Sequence, residues 1–295
     1  MIDRLVIIGV GLIGGSLGLA LKKAGACREV VGCGRTPLHL KKAVELGVID
    51  RYETDIGRAA QDADMVVLAV PVGVIEASFE QLAGHLSAHT VFTDVGSTKG
   101  SVVAAAQRVF KQVPAMFVPG HPIAGTEKSG VTAATAELFQ QRRVVLTPLP
   151  DTSPDALAKV RQMWKWTGAE IVETSVEHHD AVLAATSHLP HLLAYTLVDS
   201  LARMDASEEI FRFAAGGFND FTRIAGSSPQ MWHDICLANG AAILKMIEHF
   251  DKDLIQLATA IRDGDGAQIL DLFTRAKTAR DRFETTKVIS MQERS

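Results

Sequence analysis

The apolar positions of this chain follow two rhythms, one in each half. In the first half short, nearly continuous runs recur at residues 4–9 (RLVIIG), 29–33 (EVVGC), 64–70 (DMVVLAV), 90–94 (TVFTD), 115–118 (AMFV) and 143–148 (RVVLTP). Runs this short and this apolar suit parallel strands covered on both faces. Segments of helical period lie between most of them, such as 12–24 closed by Gly25 and 37–46 closed by Gly47. Repeated strand-helix-strand units with short connections predict a doubly wound parallel sheet, an α/β fold. The second half changes character. Ser153-Pro154 supplies an N-cap and a first-turn proline, Gly168 a stop, and 169–173 one more strand. After that the period is helical: 176–204 with an interruption at Pro190, then 230–250, 252–262 and 267–284. An all-helical C-terminal domain with apolar stripes predicts a bundle or a dimerisation domain.

The first strand runs directly into Gly9-Val-Gly11-Leu12-Ile13-Gly14 and then a helix. In that context Gly-x-Gly-x-x-Gly is the fingerprint of a dinucleotide-binding Rossmann domain. Gly9 permits the tight turn, Gly11 lets the backbone approach a pyrophosphate, and Gly14 lets helix and strand pack closely. The helix N-terminus, with Leu12 and Ile13 in its first turn, then faces the anion. The end of the second strand reads Gly34-Arg35-Thr36, where an NAD enzyme usually carries a carboxylate for the ribose 2′-hydroxyl. Arg35 can pair with a 2′-phosphate or stack on adenine, so the reading is NAD or NADP with a lean towards NADP tolerance. Pro71 follows the third long apolar run, beside the nicotinamide half of such a site, although a proline that simply ends a strand explains it as well.

Length and composition narrow the picture. At 295 residues the chain exceeds one ordinary core and suits two domains. The boundary is expected near residues 150–154, giving a dinucleotide-binding domain over 1–150 and a helical substrate and dimerisation domain over 151–295. The net charge of −4 carries both signs mixed along the chain, without the basic block that nucleic acid would need. No uninterrupted apolar stretch reaches the roughly 18 residues of a membrane span. The apolar N-terminal run breaks into glycines at once, which reads as a strand and not a leader. Three cysteines, Cys27, Cys33 and Cys236, form no metal or disulfide pattern and suit a reducing, cytoplasmic location. The expected partners are therefore a small-molecule substrate and a second copy of the chain, with neither nucleic acid nor membrane.

Three further segments are long and unusual. They are Asp94-Val-Gly-Ser97-Thr-Lys99-Gly, then Gly120-His121-Pro122-Ile-Ala-Gly125-Thr126-Glu127-Lys128-Ser129-Gly130, and Ser187-His188-Leu-Pro190-His191 followed by Gly216-Gly217-Phe218-Asn-Asp220-Phe-Thr222-Arg223-Ile-Ala and Met231-Trp232. With the glycine fingerprint they resemble the prephenate/arogenate dehydrogenase family of tyrosine biosynthesis, and most closely its broad-specificity cyclohexadienyl dehydrogenases. The resemblance covers residues from about 4 to about 285, with Gly34 as a departure at the usual acidic position. It implies oxidative decarboxylation of prephenate to 4-hydroxyphenylpyruvate, and of arogenate to tyrosine, with hydride transfer to NAD(P). It implies that His121 takes the substrate hydroxyl proton, that Ser97 hydrogen-bonds that hydroxyl, that Arg223 binds a substrate carboxylate and that His188 contacts substrate.

The residue chemistry agrees with several of these roles. Oxidising an alcohol needs its proton removed as hydride leaves, and a neutral imidazole with an ordinary pKa near 6.5 does this at neutral pH. His121 follows an apolar strand in a Gly-His-Pro loop, although a loop histidine with only a local hydrogen bond fits equally. Arg223 offers the fork that grips a carboxylate, and Asp220, three residues earlier, can orient it across one helical turn. Ser97 reads alternatively as a helix cap, and Trp232 as core or site wall. Gly216 and Thr126 lie in the same motifs. Glu127 is a candidate for meeting the ammonium of arogenate, or a loop carboxylate pairing with Lys128. His178, His179, Asp180, His188 and His191 permit a metal reading, but Leu-Pro splits the last two and no metal is assigned. Two rivals remain. A β-hydroxyacid dehydrogenase or imine reductase would place a lysine on the long helix, where residues 176–193 hold His188 and no lysine. A non-catalytic nicotinamide sensor would bind the cofactor and turn nothing over.

Overall fold

The computed structural model describes residues 1–126 and 128–292, with side chains as far as residue 285. Backbone contacts divide the chain into two compact units, Met1–Ile243 and Leu244–Ser295. The first unit begins with β1 (Ile2–Ile8), α1 (Leu12–Lys23), β2 (Cys27–Cys33), α2 (Pro37–Glu45), β3 (Arg51–Glu53), α3 (Ile56–Ala60) and β4 (Met65–Leu68). It continues through α4 (Ile75–Leu82), β5 (Val91–Asp94), α5 (Gly100–Phe110) and β6 (Phe117–Val118). Among the described residues these strands form one parallel sheet in the order β3-β2-β1-β4-β5-β6. That order reverses direction between β1 and β4, and in open α/β sheets ligands bind in the crevice at such a switch point.

Alternation along the strands explains the layers. Leu5 and Ile7 of β1 point into one apolar cluster with Leu17 and Leu21 of α1. Val6 and Ile8 point the opposite way, into a second cluster with Phe79 of α4 and Val102 and Ala106 of α5. Each such fully buried aliphatic or aromatic side chain contributes about 1.5–3 kcal/mol, so burial on both faces holds the sheet central. Phe79, Phe92 and Phe117 close the second layer, with Phe79 edge-on to Phe117 at 5.4 Å and Phe92 stacked on Phe117 at 4.9 Å.

A smaller sheet follows, formed by β7 (Gly120–Pro122), β8 (Arg143–Leu146) and β9 (Glu170–Glu173). β7 runs antiparallel to β8, with His121 opposite Val145, and β8 runs parallel to β9. The Gly-His-Pro segment expected as a loop is thus a short strand. Between β8 and β9 lies α6 (Pro154–Trp166), whose N-cap Ser153 accepts from the Ala156 amide. Ala156, Val160, Met163 and Trp164 of α6 join the same apolar cluster as Leu5 and Ile7. The core therefore runs without a break past residues 150–154, where composition had placed a boundary.

The helical part opens with α7 (Val176–Leu183), a π turn at Ala184–His188 and α8 (Leu189–Ala202). The expected interruption at Pro190 does not occur. Proline removes one backbone bond and crowds the carbonyl of the preceding turn, and the wider π turn just before it absorbs both effects. Such turns are frequent at functional sites. By length and composition the run Val176–Ala202 is apolar enough to cross a membrane, yet its His179, Asp180 and His188 are buried in hydrogen bonds to protein. Then come α9 (Ser207–Arg212), α10 (Gly216–Thr222) and α11 (Pro229–Ala238). Next is α12 (Gly240–Asp263), which begins in the first unit and ends in the second. The single helix expected over 230–250 is broken at Asn239, and the break expected after Phe250 is absent, since α12 continues to Asp263. In the second unit α13 (Gly266–Gln292) starts from Asp265, whose carboxylate accepts from the Gln268 amide.

Candidate active site

The glycine turn at the β1–α1 junction has the geometry of a phosphate cradle. Gly9 has φ +96°, and a Cβ there would collide with the Ala69 carbonyl oxygen. A Cβ at Gly14 would strike the Gly9 carbonyl oxygen. These two glycines serve the turn and the packing. Gly11 differs: nothing lies within 4 Å of the position its Cβ would take. It is the N-cap of α1 and its turn makes no side-chain cap, so the first amides of α1, from Leu12 and Ile13 onward, are free for an anion. Arg35 is exposed just beyond β2, and Pro71 is exposed just beyond β4 at the switch point. The residues present therefore fit a dinucleotide.

Behind this crevice lies a buried charged cluster. Asp94, at the end of β5, is fully buried and accepts from the Gly96 amide at 2.8 Å and the Gly120 amide at 3.2 Å. The Lys99 ammonium, also fully buried, donates to Asp94 and, at 2.7 Å, to the Gly120 carbonyl. Asp94 and Lys99 thus clamp both backbone groups of the residue before His121. Burial pulls the Lys99 pKa below the usual lysine value, with Asp94 and Asp180 opposing the shift.

The imidazole of His121 is half-exposed by surface, and its Nδ1 lies 2.9 Å from His179 Nε2. Burial among protein groups comes first in holding its pKa well below 6.5, followed by the charge His179 would carry if protonated, the Lys99 ammonium and, likewise, a protonated His188. His121 therefore stays neutral further into acid than a free imidazole. The hydroxyl of Ser97, half-buried on the β5–α5 loop, makes no hydrogen bond among the described residues. The capping role open to Ser97 belongs to Asp180, whose two oxygens accept from the Lys99 and Gly100 amides at 2.8 Å each.

His188 closes the other side. Asn239 Nδ2 donates to the Asp180 carbonyl at 2.9 Å and lies 3.2 Å from His188 Nδ1. A carbonyl oxygen can only accept, so this Asn239 atom is the amide nitrogen, His188 Nδ1 is an acceptor, and the proton of the neutral ring sits on Nε2. That Nε2 is buried without a partner among the described residues, as is the indole nitrogen of Trp232. The two rings are 6.0 Å apart, and Trp232 also stacks on His191 at 3.8 Å. Burial lowers the His188 pKa to about 4, so at neutral pH it is an uncharged donor. An orphaned buried donor costs about 1–3 kcal/mol if left unmet, so each of these two rings carries a donor that an acceptor group could satisfy.

Other expected residues are more exposed. Gly216 and Asp220 are exposed on α10, and Arg223 is exposed at the first position of a 3-10 turn, not within that helix. Tyr195 anchors the turn by donating to the Ser227 carbonyl at 2.6 Å. Thr126 is exposed, its hydroxyl accepting from the Lys128 amide at 3.2 Å, and Glu127 lies outside the described residues. Sequence reasoning passed over Asp94, Lys99 and Asn239, and weighed His179 and Asp180 only as metal ligands. The available signal was an Asp and a Lys flanking Gly-Ser-Thr at the end of an apolar strand, where free charge is costly.

Comparison with known proteins places this arrangement. Residues 17–173 match the family model described as "Prephenate dehydrogenase, nucleotide-binding domain", and residues 175–275 match "Prephenate dehydrogenase, dimerization domain". The chain belongs to the prephenate dehydrogenase family. It is 38% identical to the cyclohexadienyl dehydrogenase of Zymomonas mobilis, over 96% of each chain. It is also 38% identical to the prephenate dehydrogenase of Bacillus subtilis, over 95% of this chain and 76% of that one. Among solved structures it resembles the Aquifex aeolicus prephenate dehydrogenase in complex with hydroxyphenyl propionate and NAD+, with TM-score 0.90, 36% identity and coverage of 96% and 99%. The Synechocystis arogenate dehydrogenase follows with TM-score 0.80, 30% identity and coverage of 95% and 99%. Both the Rossmann sheet and the helical C-terminal part are those of this enzyme family.

Proposed function

We propose that the protein oxidatively decarboxylates prephenate, and also arogenate, using a nicotinamide nucleotide held on the Gly9–Gly14 turn. The observation that carries this reading is His121. It is a neutral, densely surrounded imidazole whose preceding residue, Gly120, is clamped by a buried ion pair, with the orphaned donor of His188 also in the site. The substrate hydroxyl gives its proton to His121, and the free Ser97 hydroxyl hydrogen-bonds the same oxygen. A bound nicotinamide ring supplies the hydride acceptor. Once the ring carbon has become a carbonyl, the carboxylate on the opposite ring carbon leaves as carbon dioxide. Its bonding electrons enter the ring and turn the carbonyl oxygen into a phenolate, which takes the proton back from His121 to give the phenol. His188 Nε2–H and the Trp232 indole line the substrate, Arg223 binds a carboxylate, and Gly216, Asp220 and Thr126 complete the surround. Glu127 is assigned to the ammonium of arogenate. Purified protein assayed with prephenate and arogenate, each with NAD and NADP, tests the reading: reduced nicotinamide and carbon dioxide are expected in equal amounts. No turnover with either substrate would reduce the protein to a nucleotide binder.

The nucleotide-binding part and the helical part are divided here at Thr174, where β9 gives way to α7, since α6 shares the core of the first sheet. The helical part is assigned to a homodimer. Support comes from the description of the matched family model and from exposed apolar side chains on α11, Met231 and, at 74% exposure, Leu237. Patches of this kind mark association surfaces.

Two variants probe the ends of the site. Arg223→Ala should raise KM for prephenate about 10- to 100-fold, with kcat changed far less, because the anchor acts in ground and transition states alike. Arg223 is exposed, so the expected loss is that of a charged hydrogen bond, about 1.5–3 kcal/mol. An unchanged KM would place Arg223 away from substrate. Arg35→Asp should weaken NADP by about tenfold or more and favour NAD, because a carboxylate repels a 2′-phosphate and accepts from a 2′-hydroxyl. Fluorescence titration with both nucleotides reads this directly, and equal affinities before and after would remove Arg35 from the ribose.

A further inference from the structure

We propose that His179 and Asp180 form a positioning relay behind His121, holding its Nδ1 proton so that the basic lone pair sits on Nε2. This rests on the reading of His121 as the proton acceptor and adds two residues to it.

The relay follows from which atoms are able to donate. Asp180 is fixed first. Its Oδ1 accepts from the Lys99 amide and its Oδ2 from the Gly100 amide, both at 2.8 Å, at the start of α5. Bonds from His179 and from these two amides outweigh the opposing effect of burial and hold the carboxyl below the usual carboxylate pKa, so it is ionised and only accepts. His179 Nδ1 lies 2.8 Å from Asp180 Oδ1 and must therefore be the donor. His179 is fully buried, and as a neutral ring with its proton on Nδ1 it presents a lone pair at Nε2. That lone pair faces His121 Nδ1 at 2.9 Å, so His121 donates through Nδ1. A neutral His121 then has its lone pair on Nε2, the nitrogen turned away from the relay.

The same chain acts on charge. The groups facing His121 are His179 and Asp180 from α7, Lys99 from the start of α5 and His188 from the π turn, with Asp94 behind Lys99. Burial and the Lys99 ammonium oppose an imidazolium here. When the substrate O–H bond breaks and the proton joins His121 Nε2, the positive ring still donates through Nδ1 to His179, which is backed by the Asp180 anion. The relay offsets part of the cost of charging a densely surrounded ring and keeps the basicity of His121 useful near neutral pH. The two residues are adjacent on α7, so one turn of helix anchors α5 through Asp180 and orients the base through His179.

The test compares His179→Leu with His179→Gln. Glutamine places an amide oxygen near the position of the imidazole Nε2 and restores an acceptor for His121. His179→Leu should lower kcat about 10- to 100-fold, with KM for prephenate and nucleotide affinity within about threefold, and should move the acid limb of kcat/KM to lower pH. His179→Gln should recover most of the loss. Thermal melting of both variants separates unfolding from chemistry, and if the leucine variant does not fold the pH profile of the glutamine variant decides. Wild-type kcat in His179→Leu overturns the relay. So does an equal loss in both variants with an unmoved acid limb, which would mean that the ring only fills space. The underlying reading fails separately: an active His121→Asn removes the base itself, whereas an inactive His121→Asn beside a fully active His179→Leu removes only the relay.

Discussion

Replacing His121 by asparagine should lower kcat by at least about 10²-fold, the usual size of general base catalysis, while nucleotide affinity stays close to wild type. Asparagine fits the short strand β7 and can still donate to His179, but it offers no basic nitrogen to the substrate hydroxyl. The nucleotide turn lies on β1 and α1, separate in sequence and sheet from β7, so binding measured by fluorescence should survive. The pH profile carries a second expectation. Because burial above all holds the His121 pKa well below 6.5, wild-type activity should persist further into acid than a free imidazole would allow. The sign is set by the base form: activity needs neutral His121, so a depressed pKa moves the acid limb down. An acid limb at or above the free-imidazole value, or equal rates for wild type and variant across pH, would assign the proton to another group.

Lys99→Met should destabilise the protein by about 3–5 kcal/mol, the cost of removing one partner from a buried ion pair. Among the described residues the variant leaves the Asp94 carboxylate, fully buried, with the Gly96 and Gly120 amides as its partners. It also frees the Gly120 carbonyl that Lys99 holds at 2.7 Å. Melting should fall by roughly 10 °C, and activity should fall with it, because the strand carrying His121 loses its clamp. Asp94→Asn combined with Lys99→Met should regain part of the stability, since the uncompensated charge is then gone. Denaturant titrations of the single and double variants give the comparison. A Lys99→Met protein as stable as wild type would mean that Lys99 is not the counter-charge of Asp94.

The chain's local patterns carried the parts of this enzyme that depend on short stretches of sequence. The continuous apolar runs became β1, β2, β4, β5 and β6 because a strand between two helical layers must be apolar on both faces, while the run at 143–148 became β8 of the smaller sheet. The glycine turn was legible because its positive φ and close approaches admit only glycine at Gly9 and Gly14. The motifs around His121 and His188 pointed to a site through their resemblance to the prephenate/arogenate dehydrogenase family, whereas residue chemistry alone left His121 open between a base and a loop histidine. Pattern failed where two distant segments settle a local outcome. Pro190 reads as a helix break, but the π turn before it carries the helix on. Asn239 interrupts an unbroken helical period because its amide reaches Asp180 and His188 across 59 and 51 residues.

The working state of the site belongs to tertiary structure for the same reason. Asp94 and Lys99 are close in sequence, yet their value lies in holding Gly120 through contacts 26 and 21 residues away. In one dimension His179 and Asp180 permitted only a metal reading, which was not adopted. Three dimensions set His179 58 residues along the chain from its partner His121, and Asp180 81 residues from the Lys99 amide. Sequence determined which chemistry-bearing side chains were present and which turn would receive a nucleotide, because those follow from residue type and local backbone. Only the fold decided which imidazole nitrogen carries a proton and which histidine stays neutral, because burial and hydrogen-bond direction are properties of the surroundings and not of the residue.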